Sequence, residues 1–480
     1  MGYSELYDRF LRIESELDPF SITVDGVPVW ERVRLPVFRE ILQQTGEWGQ
    51  EVQKVEKSIS NLLKGGYLLA RNAVYRNPYR ADSHDFLFWG FERRKQLEEG
   101  HYWDLFCDPL YERLDFDYLH LEEPHLNGHL RPVQTERFRY LDRIEYMSTI
   151  KRSLGIASGD IPKPQRTALE ALSERFNEEF DVSVDISERA SFRLALRAST
   201  RSSYRKLLER IDPAMVFVVV SFQKETFVEV CNELDIPVVE LQHGILAQYE
   251  YGFPGFRTKE TFPDYFFSFG EYWNDRVDLP IQDDKIRAIG YGHFDRQRER
   301  FSNTTTGDDV VFISQGNVGE KLSKAALELS RHPSIDDSNI VYKLHPGEYG
   351  RWQADYPWLR ESDLRVVGKS GPDLYELFAD AYAQVGVYST AVYEGLGFGL
   401  TTYLYDLPGV EELEDLVTTG YAQLVSSPEE LATTLTERQQ PRVDSAAFFA
   451  PNPHRNFVEA VRDIQTAHDL DLDITLSDGK

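Results

Sequence analysis

The sequence predicts an α/β chain of two Rossmann-like domains behind a helical N-terminal extension. Three observations carry that expectation. AMVFVVVS (Ala214–Ser221) is a run of consecutive apolar residues, the pattern of a strand buried on both faces. A helical stretch (Lys224–Leu234) and a second apolar run, PVVELQHG (Pro237–Gly244), follow it. Strand, helix, strand at this spacing is a βαβ unit, which implies a parallel sheet with helices on both faces. The alternation then starts again at DVVFISQG (Asp309–Gly316), as a second sheet requires.

Taken in order, residues 1–83 read as the helical extension. Tyr3, Leu6, Tyr7, Phe10, Leu11 and Ile13 share one helical face. ITVDGVPV (Ile22–Val29) has the form of a hairpin around Asp25-Gly26, and Trp30–Gln43 and Val52–Ala73 return to helical spacing. The first α/β domain is placed at residues 84–275. It opens with the short apolar runs HDFLFWGF (His84–Phe91) and FDYLHL (Phe116–Leu121), with helices to about Leu208. The second domain is placed at residues 276–440, after a linker near 270–307. Its alternation runs through helix Glu320–Arg331, IVYKLHP (Ile340–Pro346), Leu364–Val367, helix Leu374–Ala381, AQVGVYS (Ala383–Ser389), a helix from Ala391 and TTYLYD (Thr401–Asp406). Residues 441–480 are a closing helix and a polar tail.

Composition bounds the partners. Eighty acidic against 53 basic side chains give a formal charge of -27 over 480 residues, while 41% hydrophobic and 13% aromatic residues exclude a largely disordered chain. Nucleic acid and anionic lipid are repelled by such a chain as a whole, and no nucleic-acid partner is expected. No apolar run approaches the roughly 18 residues of a membrane span, and MGYSELYDRF lacks the order of a signal peptide. Two cysteines, Cys107 and Cys231, make no disulfide framework, so a cytoplasmic location is expected. No amphipathic basic helix announces a membrane, so peripheral association with its inner face would run through acceptor or partner. The bases comprise 38 arginines and 15 lysines. A strongly acidic, lysine-poor chain resembles the proteins of salt-in halophiles.

In open α/β sheets, ligands bind beyond the carboxyl ends of the strands. Four such ends here carry polar, small or cationic residues: Gln242-His243-Gly244, Ser314-Gln315-Gly316, Lys343-Leu344-His345-Pro346, and Ser389-Thr390 with Glu394 a helical turn later. Ser389 and Thr390 stand at a helix N-terminus, where free N–H groups and the helix dipole favour an anion. Lys343 and His345 alternate along a strand end and can project to one side. Gly316 lets the backbone approach a ligand, and Glu394 is placed to accept from ribose hydroxyls. Each residue also has a simpler use. Ser389 fits a helix N-cap, His345-Pro346 a strand terminator, His243 a turn histidine, and Glu394 a helix-surface carboxylate. Their agreement in position favours a phosphate-bearing ligand.

QHG after a strand, KxHP in the second domain and S-T-x-x-x-E before a Gly-rich turn resemble the GT-B glycosyltransferases of capsule and surface polysaccharide synthesis. The pattern is shared in part by CDP-glycerol glycerophosphotransferases and HP-motif sialyltransferases, and it covers roughly residues 210–410. The resemblance implies a GT-B-like fold with two Rossmann-like domains facing a cleft. It implies a nucleotide-sugar donor, which is a substrate, and hence no cofactor; the acceptor is a glycan or a lipid-linked glycan. It casts His345, Pro346 and Lys343 as lining the donor nucleotide, with Gln315 and Gly316 beside them. Ser389 and Thr390 bind the donor phosphate in this scheme, and Glu394 holds the ribose. His243 is the candidate general base, because an imidazole titrates near the working pH, and Gln242 and Gly244 flank it on the acceptor side. The acidic D/E-D/E-G motif of bacterial sialyltransferases has no clear counterpart, so the resemblance does not imply a sialic-type donor. No DxD motif stands at a strand end, since Asp308-Asp309 precedes its strand and Asp336-Asp337 lies in a loop, so no metal is expected. His120, Glu122, Glu123, His125 and His129 form a secondary metal candidate, set against an acidic acceptor loop. Gln248–Phe256, rich in Tyr and Gly, reads as an acceptor loop. The same domain plan also serves a CDP-alditol phosphotransferase, a UDP-sugar 2-epimerase or a non-catalytic glycan-binding subunit.

A phosphate ligand in a chain of charge -27 must be held by local groups, and salt screens the global repulsion, with a Debye length near 3 Å at about 1 M. Turnover is therefore expected to rise with salt; a maximum at low ionic strength contradicts the halophile expectation.

Overall fold

Both alternations fold as parallel sheets. The computed structural model describes residues 3–47, 58–91, 94–97, 100–246, 259, 261–304, 307–316, 318–335, 339–437 and 444–477. The chain divides into two units, Met1–Ser268 with Trp273–Gly292 and Asn452–Lys480, and Phe269–Tyr272 with His293–Pro451. Residues 276–292 and the closing helix thus belong with the first unit, whereas the sequence reading assigned the former to the second domain and set the latter apart.

In the first unit, strands β1 (Phe86–Trp89), β2 (Tyr118–Glu122), β3 (Phe138–Tyr140), β4 (Met215–Val219), β5 (Val238–Leu241), β6 (Tyr265–Ser268) and β7 (Ile286–Ala288) form one sheet in the order β7-β6-β5-β4-β1-β2-β3. Every pairing is parallel. Successive residues pack to opposite faces, as strand geometry dictates. Phe86, Phe88, Phe217 and Val219 join one core with Phe457 and Val461 of the closing helix. Leu87, Trp89, Val216 and Val218 join the other with Tyr204, Leu207 and Phe227.

The N-terminal extension is not self-sufficient. Helices α1 (Tyr3–Leu17) and α2 (Trp30–Gln44), with the hairpin Thr23–Pro28 between them, share a core with residues from the middle of the chain. That core includes Leu169, Leu172 and Phe176 of a helix over Lys163–Phe180. It also takes Ile186, Ala190 and Leu194 from the 26-residue helix Ile186–Ile211, whose far end, through Leu207, Leu208 and Ile211, packs on the sheet. At the centre of this layer Glu14 is buried between Arg34 (Nε to Oε1, 2.7 Å) and the indole N–H of Trp30 (2.6 Å to Oε1).

In the second unit, β8 (Asp309–Ile313), β9 (Ile340–Lys343), β10 (Arg365–Val367), β11 (Ala381–Gly386), β12 (Thr401–Tyr405) and β13 (Gln423–Val425) form a sheet in the order β10-β9-β8-β11-β12-β13, again wholly parallel. Phe312, Tyr342, Val385 and Tyr403 pack under Leu322 and Leu329 of the helix Gly319–Ser330 and Leu431 and Leu435 of the helix Pro428–Glu437. The expected α/β class with two Rossmann-like units is the architecture found. The sequence reading passed over β3, β6 and β13; β3 and β13 are three-residue edge strands, too short to stand out by pattern.

Removing one partner of a buried ion pair leaves an uncompensated charge, at a cost of about 3–5 kcal/mol. Glu14→Ala is expected to destabilise the first unit by that amount, read from the urea midpoint. Full stability in this variant would mean Arg34 finds water.

Candidate functional sites at the carboxyl edges

A parallel sheet wound first to one side and then to the other has one point where the strand order reverses, and ligands settle in the crevice that opens there. In the second unit the reversal falls between β8 and β11. The loops leaving those strands are Ser314-Gln315-Gly316 and Val387-Tyr388-Ser389-Thr390, two of the four segments the sequence singled out. They are tied together: Gln315 Oε1 accepts the Tyr388 N–H at 3.1 Å.

Ser389 is the N-cap of the helix Thr390–Gly397, its Oγ accepting the Ala391 N–H at 3.3 Å, and Thr390 is exposed at the first helical position. That helix lies close on its sheet because Gly395 has no side chain. A Cβ there would stand 2.0 Å from Gln384 Oε1, while Gln384 Nε2 donates to the Val392 carbonyl (2.7 Å) and Thr402 Oγ1 (2.8 Å). Glu394 is half-buried and accepts the Tyr375 hydroxyl at 3.0 Å. His345 and Pro346 are exposed at the end of β9, adjacent to β8. His345 Nδ1 accepts the Gly347 N–H at 3.1 Å, which in the neutral ring puts the proton on Nε2. Lys343 departs from expectation. Its ammonium donates to the Pro372 carbonyl at 3.2 Å and so ties down the loop after β10.

Two residues here escaped the sequence reading. Glu348 is fully buried and accepts from Ser314 Oγ (3.0 Å), the Tyr356 hydroxyl (2.6 Å) and the His345 N–H (2.7 Å), fixing the ends of β8 and β9 to each other. The H-P-x-E spacing of a capping box was the available signal. Arg351 brings its Nη2 to 3.6 Å from the Cβ position of Gly316; it is largely exposed and pairs through Nε with Asp355 at 3.3 Å.

In the first unit the reversal lies between β1 and β4, where Gly90-Phe91 and Val220-Ser221 leave the sheet. His243 follows the neighbouring β5 and sits between the rings of Phe91 and Phe222, with centroids at 6.4 and 6.0 Å. Burial, then the nearby cations Lys224 and Arg39, push its pKa down to about 3. The sequence reading had taken it near the working pH. Its Nδ1 has no hydrogen-bond partner among the described residues and lies 4.0 Å from Oε1 of Glu240. Glu240 is itself buried and bonded to the Ser221 N–H (3.2 Å) and hydroxyl. A carboxylate so placed would favour the imidazolium once the ring shifts to make that bond. Gln242 is buried and donates to the Gly244 carbonyl at 2.7 Å, closing the turn that carries His243. Among the described residues, a Cβ on Gly244 would meet nothing within 4 Å. Gln248–Phe256 lies outside the described residues.

The secondary metal candidates separate into two groups. His129 is clamped by carboxylates on both sides, Nδ1 to Glu122 at 2.5 Å and Nε2 to Asp142 at 2.7 Å. His120 instead approaches Asp104 and Cys107, the ligand atoms lying within 4.8 Å of one another. These atoms are already engaged. His120 bonds the Tyr111 hydroxyl (2.9 Å) and Arg94 (3.2 Å), and Asp104 accepts the N–H groups of Phe91, Phe106 and Cys107. A pocket of about 930 Å³ lies elsewhere, lined by Glu40, Glu170, Glu174, Asp185 and Glu188, and its acids do not suit a phosphate.

No family model and no curated protein matches the chain. Solved structures do. The UDP-GlcNAc 2-epimerase of Methanocaldococcus jannaschii is 12% identical, with 79% of this chain and 99% of that one covered, at a TM-score of 0.47. The UDP-GlcNAc 2-epimerase of Neisseria meningitidis, bound to UDP-GlcNAc, is 12% identical over 79% and 99% at 0.45. MurG of Acinetobacter baumannii is 11% identical over 79% and 99% at 0.43.

The His129 clamp makes stability depend on pH. Burial lowers the His129 pKa, but the bonds to Asp142 and Glu122 outweigh it and raise it above 6.5. Burial raises Glu122, but the His129 bond, then Arg94 and Arg131, hold it at about 2 against 4.5. The histidine contribution is complete below its unfolded pKa and is lost as pH rises through the folded one. The carboxylate contribution is present above 4.5 and is lost as pH falls toward 2. Urea midpoints are expected to fall from about pH 6 to pH 9, and His129→Gln to flatten that limb. An unchanged limb in the variant would assign the dependence to other groups.

Proposed function

We propose that the chain is a metal-independent glycosyltransferase that moves a sugar from a nucleotide-activated donor to a surface polysaccharide or lipid-linked glycan acceptor. One observation carries this reading: Gln315, Gly316, Ser389 and Thr390, chosen from the sequence for phosphate chemistry, fall at the strand reversal of the second sheet. The motif resemblance to the GT-B transferases of surface polysaccharides points the same way. In the proposed reaction the acceptor oxygen forms a bond to the anomeric carbon as the bond from that carbon to the donor phosphate breaks. The acceptor proton goes to His243; with a pKa pushed down to about 3 the ring is a weak base as it stands, so this role requires Glu240, now 4.0 Å away, to bond the ring and stabilise the imidazolium. Negative charge growing on the leaving phosphate meets the N-terminus of the helix Thr390–Gly397, with His345 and Arg351 as further donors. Glu394, held by Tyr375, takes the ribose hydroxyls, and Lys343 shapes the loop around the nucleotide rather than contacting phosphate.

Calorimetry with UDP, GDP, CDP and CMP is expected to find one that binds wild type. Ser389→Ala and His345→Ala should each weaken it about tenfold, or ~1.4 kcal/mol. His243→Ala should keep that affinity and abolish transfer, and Glu240→Gln should lower transfer less. Absence of nucleotide binding at any salt refutes the proposal. Turnover of a UDP-sugar with no acceptor would establish an epimerase instead.

A further inference from the structure

The helix Ile59–Asn72 is amphipathic with its apolar face turned outward. Leu68 is buried and Gly65 is pressed on Tyr146, where a Cβ would stand 2.9 Å from the ring. The opposite face carries Leu62, Leu63 and Tyr67, which are 77, 70 and 63% exposed, and Val74 just beyond the helix is 71% exposed. These residues fall within one face at 100° per residue, with Gly66 and Ala70 completing it. The helix runs antiparallel to the helix Asp142–Ser153: Asn72 accepts the Arg143 N–H, and Gly65 meets Tyr146. Leu62 and Leu63 therefore lie toward the end that carries Ile150 and then Leu154 and Ile156, 69 and 71% exposed. Beside them a two-residue turn, closed by paired bonds between His125 and Gly128, exposes Leu126 at φ 47° and is anchored to the helix through Asn127 and Asn61.

The charge around this surface runs against the rest of the chain. Residues 58–81 contain no acid, where the chain average of one in six would place about four, and four cations, Lys64, Arg71, Arg76 and Arg80. In the helix Asp142–Ser153 the two acids are occupied. Asp142 is buried against His129 and Arg71, and Glu145 accepts from Tyr204. Arg143 is exposed on this helix, while Lys151 donates to the Ser199 carbonyl (3.0 Å) and Arg152 lies over Phe192, so those two turn to the long helix instead.

We infer that the outward face of Ile59–Asn72, with Leu126, Leu154 and Ile156, is a docking surface for an anionic lipid bilayer. Apolar side chains enter the acyl boundary, and a rim of cations meets the headgroups. A second copy of the chain fits less well, because a two-fold contact would set this cationic rim against itself. The sequence reading found no such helix, because spacing identifies an apolar face without telling which way it points.

Co-sedimentation tests this with full-length protein and vesicles of phosphatidylcholine alone or with about 30 mol% phosphatidylglycerol. The wild type is expected to bind the anionic vesicles at least about tenfold better. The triple variant Leu62→Gln, Leu63→Gln, Tyr67→Gln should lose that binding at an unchanged melting temperature. Lys64→Gln with Arg80→Gln, which leaves the apolar face intact, should reduce it severalfold on anionic vesicles only. Equal recovery of wild type and triple variant with anionic vesicles overturns the inference. So does a wild-type dimer that the triple variant converts to monomer without any vesicle binding. Vesicle binding needs no nucleotide, so its failure leaves the transfer reading standing and the reverse also holds.

Discussion

Parallel strands joined through helices cannot all be wound to one side of the first strand without exposing half the sheet, so each sheet reverses its winding once. The candidate site residues lie close to where that happens. At the reversal the chain leaves two adjacent strands toward opposite faces, and the two departing loops leave a crevice that no crossing helix fills. The central pairs β8/β11 and β1/β4 occupy that position. The residues with chemistry stand within a strand or two of it, because only there are backbone donors and polar side chains turned away from packed helices.

The crevices are held open by groups that are themselves out of water. Glu348 ties three segments of the second unit, and Glu240 ties the ends of β4 and β5 in the first. A buried carboxylate with several donors is well satisfied, but each donor it holds becomes costly to remove. This places conformational precision at the edge of the sheet, where loops would otherwise fray. Gly395 contributes by absence of bulk, letting the helix Thr390–Gly397 settle on Gln384.

The strongly apolar strands were legible in the sequence. Ala214–Ser221 and Asp309–Gly316 announce β4 and β8 because strands buried on both faces need unbroken apolar runs. The candidate residues after β5, β8, β9 and β11 were chosen because strand ends are where such runs stop, and they do lie at strand ends. Glu348 and Glu240 were not, because a buried charge looks like a surface one until its partners are known. The His243 pKa was misjudged because burial and two cations from distant segments, Lys224 and Arg39, act on it. Lys343 was read as a phosphate ligand, yet the loop after β10 reaches its ammonium first.

The N-terminal region shows the division most clearly. The sequence by itself put helical spacing over Tyr3–Leu17, Trp30–Gln43 and Val52–Ala73, because the 3.6-residue period places apolar side chains on one face. It also determined the α/β class, since alternating strand and helix leaves little else. Only the tertiary structure decided that the first two helices bury their apolar faces, against helices more than a hundred residues away, while the third turns its own outward. Periodicity fixes that a face exists; the direction it points depends on what other surface the folded chain has left to cover it.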